Sequence, residues 1–128
     1  MIYIVLNLLP ISVATLVALL LGALYARRAR LRITPGAALT ALIANFWLAS
    51  ILAGALILAP PKAGVWTMAL GSAFVIWIGF VAPALVATGA ARRVSARTIA
   101  GDCLWWLAAM LTQAAVMKGI GLVAPPVG

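Results

Sequence analysis

The residue types that support most protein chemistry are nearly absent from this chain. Among its 128 residues there is one acidic side chain, Asp102, one cysteine, Cys103, and no histidine. General acid and base catalysis, nucleophile activation and metal ligation draw mainly on histidine, carboxylates and cysteine. The sequence therefore predicts a protein that is not an enzyme, that binds no metal and that uses no catalytic cofactor.

Two roles are open to Asp102. An acid inside a membrane segment can couple the movement of protons or cations. The predicted position of Asp102, however, is close to the start of the fourth helix and beside an arginine-rich loop. A carboxylate is stabilised near a helix N-terminus and by neighbouring arginines, so an ion pair with the arginine rim is the favoured role. Cys103 lies in an apolar segment, and we expect a structural thiol there.

The composition is that of a membrane protein. Hydrophobic residues make up 67% of the chain, charged residues 8%, and the mean hydropathy is +1.25, whereas soluble domains have about 25% charged residues. Four apolar stretches have about the 20 residues that a membrane-spanning helix needs. They cover residues 3–26, 36–59, 65–90 and 99–124. The prediction is one all-α domain over residues 1–128, a bundle of four transmembrane helices.

The basic residues predict the orientation of this bundle. Seven of the nine lie in the two loops that follow the first and third stretches, and they are Arg27, Arg28, Arg30, Arg32, Arg92, Arg93 and Arg97. Short loops rich in arginine remain in the cytoplasm, which places both ends of the chain outside. The expected location is the bacterial inner membrane, with multiple passes. The same arginines are suited to anionic lipid head groups, and their confinement to membrane-flanking turns argues against nucleic-acid binding.

Prolines and caps predict the helix boundaries. Thr34 followed by Pro35 is a typical helix start, and Pro60 with Pro61 is expected to stop the second helix. Pro83 should bend the third helix, because it removes a backbone hydrogen bond. At an offset of 65 residues the two halves share arginine, glycine and leucine positions, including Arg27 with Arg92 and Gly36 with Gly101. This similarity indicates two tandem helical hairpins of the same orientation.

Six polar or aromatic residues within the spans are candidates for a helix interface or a ligand groove. They are Asn45, Trp47, Trp77, Trp105, Trp106 and Gln113. Asn45 and Gln113 are expected to seek hydrogen-bond partners across helix interfaces. Tryptophan is enriched where a membrane meets water, so these mid-span tryptophans call for another explanation. Packing within the bundle, a groove for a lipid, quinone or pigment, and contact with another subunit all remain open.

Several segments resemble a family of small bacterial four-helix inner-membrane proteins, a domain of unknown function. The similar segments are Gly79-Phe80-Val81-Ala82-Pro83, Gly101-Asp102, Trp105-Trp106, Lys118-Gly119-Ile120-Gly121-Leu122 and Leu21-Gly22-Ala23-Leu24-Tyr25. The family has a polar asparagine and an acidic residue in the turn where this chain has Thr88 to Arg93. The resemblance implies a four-helix membrane fold and no particular activity.

The sequence supports two classes of function. The first is an accessory or scaffold subunit that packs against a larger membrane complex, for example a respiratory or photosynthetic one, or against itself. It accounts for the scarcity of reactive groups and for helix faces rich in small residues, which favour close packing. The alternative is a small homo-oligomeric permease or channel, but the chain has no glutamate for ion coupling and a strong charge bias. A haem or thiol relay is disfavoured, because histidine and paired cysteines are missing.

Overall fold

The computed structural model describes residues 2–59 and 64–126. Within these ranges the chain forms six α-helices and one π-helical segment. They are α1 (Ile2–Leu6), α2 (Leu8–Arg28), α3 (Pro35–Leu58), α4 (Val65–Ile76), the π segment (Trp77–Val81), α5 (Ala82–Ala91) and α6 (Ala96–Ile120). Four spans are long and apolar enough to cross a membrane: α2, α3, the continuous run Val65–Ala91, and α6. The predicted all-α bundle of four membrane helices is confirmed.

Side-chain caps fix the starts of two spans. The Thr34 hydroxyl accepts a hydrogen bond from the backbone N–H of Ala37, and the Ser95 hydroxyl accepts one from Thr98. The second cap starts α6 at Ala96, three residues before the predicted start at residue 99. At its other end α6 stops at Ile120, four residues before the predicted end, because Gly121 has a φ of 104° that a helix does not allow. The predicted stop of α3 at Pro60 and Pro61 lies outside the described residues, and α3 ends at Leu58.

The two arginine-rich loops begin with the same turn. Arg30 and Arg93 both have a φ of 58°, in the left-handed region. The next residue in each case donates its N–H back to the end of the helix, Leu31 to Ala26 and Val94 to Gly89. This pattern is a Schellman motif, which satisfies the last carbonyls of a helix. We call the end of the bundle that carries residues 29–34 and 92–95 the arginine end.

These shared turns correct the register of the proposed repeat. Arg30 and Arg93 are 63 positions apart, whereas the capping residues Thr34 and Ser95 are 61 positions apart. An offset of 65 therefore pairs neither feature. The two hairpins are built with the same capping devices, but the second loop is shorter, so no single offset aligns both sides of the loop.

The third span changes its helical pitch just before the predicted bend. Trp77–Val81 form a π-helical turn, and the backbone N–H of Ala82 donates to the carbonyl of Trp77, five residues earlier. Pro83 has no N–H to donate and its ring would clash with the carbonyl four residues before it, that of Gly79. A wider turn at this point accommodates the missing bond and the ring, and π turns are a known cause of kinks.

Helix α6 is the centre of the bundle, since it packs against α2, α3, α4, α5 and the π segment. The core combines a few long side chains, Ile11, Leu52, Met110 and Met117, with fully buried alanines on the same helices. Small residues at helix interfaces allow backbones to approach closely, as expected where lipid provides no hydrophobic drive. The closest case is Gly89 in α5, against the side chain of Ile99 in α6.

The first predicted helix is interrupted at Asn7, which is almost fully buried. Its side-chain amide donates to the carbonyls of Tyr3 and Val123, at 2.8 Å each, and its Oδ1 accepts the N–H of Val123 at 2.7 Å. We call the pair of bonds between Asn7 and Val123 the Asn7 clamp. It holds the chain that follows α6 against the start of α2, at the end of the bundle opposite the arginine end.

Candidate ligand-binding site

A cavity of about 550 Å³ lies between α2, α3 and α6, towards the arginine end. Its walls are mainly small apolar residues, among them Ala18 and Gly22 of α2 and Ala38 and Ala41 of α3. Ligand pockets in proteins usually have volumes of about 300–1,000 Å³ and apolar walls with a few polar groups. The cavity is within this range, and its polar lining residues are few.

One wall of the cavity is aromatic. Trp105 stacks on Tyr25 with ring centroids 5.8 Å apart, and it meets Trp106 edge to face at 4.4 Å. The Trp105 ring also lies against the backbone of Gly22, where an added Cβ would be 3.1 Å from the ring. Glycine at this position therefore allows the indole to approach α2 closely. All four of these residues line the cavity.

Asp102 lies at the same wall and is paired with a phenol. The Tyr25 hydroxyl donates a hydrogen bond of 2.6 Å to Asp102 Oδ1. Because α6 starts at Ala96, Asp102 is in its second turn, further from the N-terminus than expected, and the macrodipole effect falls off within the first turn. The ion pair with the arginine rim stays a prediction. Tyr25 was not among the site residues that the sequence predicted. The feature that could have pointed to it is a tyrosine hydroxyl next to the arginine-rich loop.

Asn45 and Gln113 lie together in the interior. Asn45 is 1% exposed, and Gln113 is fully buried. The Gln113 amide donates to the backbone carbonyl of Asn45 at 3.3 Å, and the Asn45 amide donates to the carbonyl of Ala41 in its own helix. Each side-chain carbonyl oxygen is buried without a partner among the described residues, and so is the indole nitrogen of Trp105. Asn45 and Trp105 line the cavity, whereas Gln113 does not.

Two of the predicted tryptophans lie away from the cavity. Trp77 begins the π segment, and its indole donates to the backbone carbonyl of Cys103 at 2.8 Å. This bond ties the third span to α6, and neither residue lines the cavity. Trp47 lies in α3 with 55% of its surface exposed, on the outside of the bundle. The structure thus brings Asn45, Trp105 and Trp106 to one site and leaves Trp47, Trp77 and Gln113 outside it.

All seven predicted arginines are exposed at the arginine end. Arg32 also lines the cavity, together with Leu31 and Ile33 of the same loop between α2 and α3. The lining therefore includes one positive and one negative side chain, Arg32 and Asp102. A cavity with this lining is suited to a neutral ligand as far as charge is concerned.

The described residues contain no group of three or more His, Cys, Asp or Glu side chains that could hold a metal ion. The lining residues of the cavity offer hydrogen-bonding groups, aromatic surfaces and apolar contacts.

Comparisons of the chain with protein-family models, with curated proteins and with solved structures gave no match. The resemblance to a small inner-membrane family stays a prediction.

Proposed function

We propose that this protein is a non-catalytic accessory or scaffold subunit of a larger bacterial membrane complex. Its partner is another membrane protein, and the contact is made within the bilayer. The observation that carries the proposal is the position of Trp47. The orientation proposed with it has the arginine end in the cytoplasm of a cell with an inner membrane, as the charge bias favours.

Trp47 lies at the middle of α3, with twelve helical residues before it and eleven after it. Its side chain is 55% exposed. Tryptophan prefers the two membrane interfaces, where the indole N–H meets water or head groups. An indole N–H that is left unpaired in hydrocarbon costs free energy. A protein partner with an acceptor at this depth would remove that cost.

The face around Trp47 is suited to helix packing. Leu39, Ile43 and Ile51 are exposed on the same side, at intervals of four residues from Trp47. Residues four apart lie on one helix face and form a continuous ridge. This ridge is large enough to fill the groove of a partner helix, and its single polar atom would fix the register of the contact.

The third span supports the same proposal. Only 17% of an 18-residue window of this span is buried, against 28% of the corresponding window in each of the other three spans. Phe80 is 75% exposed, and the π segment adds the exposed Ile78 beside it. Gly79, between them, has open space where a side chain would be. A peripheral span with large exposed side chains is a suitable surface for a second membrane protein.

Photo-crosslinking in native membranes tests the proposal. A benzophenone side chain is placed at residue 47, and a matched control is placed at Leu20, which is exposed at the middle of α2. We expect a discrete protein adduct from residue 47 and only lipid adducts from residue 20. Under mild detergent the protein should co-purify with that partner in constant stoichiometry, and Trp47→Leu should weaken the association.

Two other outcomes would contradict the proposed subunit role. A chain that is monodisperse alone in mild detergent, with lipid adducts from residue 47 only, is not a subunit of a stable complex. Adducts exclusively between copies of the chain would indicate a homo-oligomer and would favour the permease or channel instead. Flux of ions in proteoliposomes would then be the next measurement.

A further inference from the structure

We propose that the cavity between α2, α3 and α6 binds one zwitterionic phospholipid whose head group carries a hydrogen-bonding ammonium, of the phosphatidylethanolamine class. Arg32 binds the phosphate and Asp102 binds the ammonium. Trp47 does not line this cavity, so the site does not depend on the proposed subunit role. The argument uses the two opposite charges of the lining, an accessible carboxylate oxygen, the depth of the site and the aromatic wall.

The carboxylate of Asp102 retains an acceptor that no described residue uses. Tyr25 donates to Oδ1 at 2.6 Å, and Oδ2 accepts no hydrogen bond from the described residues. Oδ2 does not belong to the buried atoms without a partner, which are Asn45 Oδ1, Trp105 Nε1 and Gln113 Oε1. It therefore has accessible surface, and Asp102 lines the cavity. This oxygen favours a cationic donor, because charge-assisted hydrogen bonds are about twice as strong as neutral ones.

Arg32 supplies the opposite charge. It lies on the loop between α2 and α3, it is exposed, and it lines the cavity. Its planar guanidinium carries five N–H donors and is suited to bidentate binding of a phosphate. Its neighbours Leu31 and Ile33 are apolar and exposed, and they also line the cavity. A phospholipid with its phosphate on Arg32 therefore has apolar surface for its acyl chains, including the exposed Ala37 and Ala38 of α3.

The depth of the site is that of a lipid head group. Asp102 is six residues after the start of α6, and Tyr25 is three residues before the end of α2. A rise of 1.5 Å per residue places them about 9 Å and about 4–5 Å from those helix ends. The polar layer on each side of a bilayer is about 5–7 Å thick, so Asp102 lies close to its inner limit. The ethanolamine arm of the bound lipid is therefore turned inwards along α6, and its phosphate lies at the loop.

The aromatic wall favours a primary ammonium over a choline. Trp106 lines the cavity with Asp102, and an indole stabilises a nearby cation by a cation–π interaction. A cage for a quaternary ammonium needs several open ring faces. Here Trp105 stacks on Tyr25 with centroids 5.8 Å apart and meets Trp106 edge to face at 4.4 Å. Because these rings cover one another, the carboxylate is the main partner for the ammonium, and it selects a head group that can donate.

Two other occupants would leave one charge of the lining unmatched. An anionic phospholipid such as phosphatidylglycerol pairs with Arg32 but adds a net negative charge beside Asp102. A lipophilic amine pairs with Asp102 but adds a positive charge beside Arg32 and has no phosphate for it. Like charges repel most strongly where the dielectric is low. A zwitterion matches both residues and, like the pair of charged lining residues, has no net charge.

Lipid binding to the full chain tests the site without any substitution. The protein in mild detergent is titrated with phosphatidylethanolamine, phosphatidylcholine or phosphatidylglycerol of identical acyl chains, and bound lipid is counted by native mass spectrometry. We expect one phosphatidylethanolamine per chain, bound about tenfold more tightly than phosphatidylcholine, because methylation removes the donors and retains the charge. Glycerophosphoethanolamine, the head group without acyl chains, should not compete. Competition by it would overturn the lipid assignment in favour of a soluble phosphate ester.

Substitutions locate the head group in the cavity. Asp102→Asn removes the negative charge and should abolish the preference for phosphatidylethanolamine over phosphatidylcholine. Tyr25→Phe breaks the bond between these two residues but retains the carboxylate, so the preference should remain. Arg32→Gln should weaken the binding of both lipids about tenfold, through the loss of its charge-assisted hydrogen bonds. Arg30→Gln is the matched control, because Arg30 is in the same loop but does not line the cavity, and it should leave binding unchanged.

Four further outcomes would overturn the proposal. They are equal binding of phosphatidylethanolamine and phosphatidylcholine, tighter binding of phosphatidylglycerol that is lost in Arg32→Gln, loss of the preference in Tyr25→Phe as complete as in Asp102→Asn, and equal effects of Arg30→Gln and Arg32→Gln. The second of these would assign the cavity to an anionic phospholipid, and the third would give Asp102 a structural role only. A failure of the subunit proposal would appear in crosslinking at residue 47 and would leave these measurements unaffected.

Discussion

At the scale of single residues, the few polar side chains within the spans form hydrogen bonds mainly with backbone carbonyls of the same chain. Thr15 and Ser50 donate to carbonyls one turn back in their own helices. Asn7, Tyr25 and Trp77 instead form bonds that join distant parts of the chain. In a bilayer such bonds contribute about 0.6–2 kcal/mol each. These three residues therefore connect the spans where the apolar core does not specify the contact.

The bond between Tyr25 and Asp102 is expected to stabilise the bundle. Tyr25→Phe removes the hydroxyl that donates to the carboxylate at 2.6 Å and leaves the ring on Trp105. Because hydrogen bonds to charged groups are stronger than neutral ones, the loss should be about 1–2 kcal/mol in the free energy of unfolding. Steric trapping in bicelles measures it. Tyr3→Phe, the same change at a hydroxyl that lies against Gly54, should cost less; an equal loss would contradict the role given to Asp102.

The Asn7 clamp gives a second prediction at this scale. Asn7→Leu retains the volume of the side chain but removes the donor to the Val123 carbonyl and the acceptor for the Val123 N–H. Three side-chain hydrogen bonds are lost, the two with Val123 and the one to the Tyr3 carbonyl, so we expect a destabilisation of about 2–4 kcal/mol. In hydrogen-exchange measurements the Val123 amide should exchange faster in Asn7→Leu than in the unchanged protein. Asn7→Asp retains the acceptor and should keep that amide protected; if both variants exchange alike, the clamp is not what protects it.

At the scale of the elements, the span formed by α4, the π segment and α5 is held mainly by α6. A close contact with α6 is at Gly89, where a Cβ would be 2.7 Å from Cγ1 of Ile99. Isoleucine has essentially one χ1 rotamer in a helix, so Ile99 cannot turn aside easily. Gly89 also supplies the carbonyl that closes the turn at Arg93 and Val94. The approach of α5 to α6 and the turn between them are thus fixed at the same residue.

Gly89→Ala should force α5 and α6 apart. Overpacking of this kind costs about 1–3 kcal/mol, measured as the free energy of unfolding. Adding Ile99→Ala removes Cγ1 and Cδ1, the two atoms that the new Cβ would meet, so the double variant should recover most of the lost stability. Such non-additivity of the two substitutions would show that residues 89 and 99 are in contact. Gly119→Ala is the control, because nothing lies within 4 Å of its added Cβ. An equal loss in Gly119→Ala would point to a general intolerance of side chains and not to this contact.

The elements also show what the sequence can and cannot predict. Hydropathy located all four spans, and Thr34 with Pro35 predicted the start of α3 to within one residue. Local signals failed at the end of α6, where Gly121 stops the helix before Pro125 is reached, and at Asn7, whose partner is 116 residues away. Asp102 was selected as a candidate, but its phenol partner was not, because Tyr25 is 77 residues distant. Contacts between spans depend on helix rotation, which hydropathy does not specify.

At the scale of the whole molecule, charge and architecture agree on an asymmetric bundle. Both Schellman turns with left-handed arginines lie at one end, and the Asn7 clamp lies at the other. The cavity is lined by α2, α3, α6 and the loop between α2 and α3, and the most exposed span, Val65–Ala91, contributes no residue to it. Trp47 does not line the cavity either, so substitutions can alter the cavity and the Trp47 face separately.

The orientation can be measured with single cysteines in a Cys103→Ala background. Val94 and Val123 are exposed at opposite ends of the bundle. If the arginine end is cytoplasmic, a membrane-impermeant maleimide should label Val123→Cys in intact spheroplasts and should label Val94→Cys only after permeabilisation. Labelling of both positions in intact spheroplasts would indicate a dual topology, and the reversed pattern would refute the proposed orientation.

The Asn7 clamp also affects how the bundle responds to force. Since Asn7 holds the backbone that follows α6, tension applied between residues 3 and 125 acts first on the two bonds to Val123. The pull would be across α2 and α6 at the same membrane face, so neither helix could be extracted singly until the clamp has broken. The four spans thus form a mechanical loop that is closed by the two bonds between Asn7 and Val123.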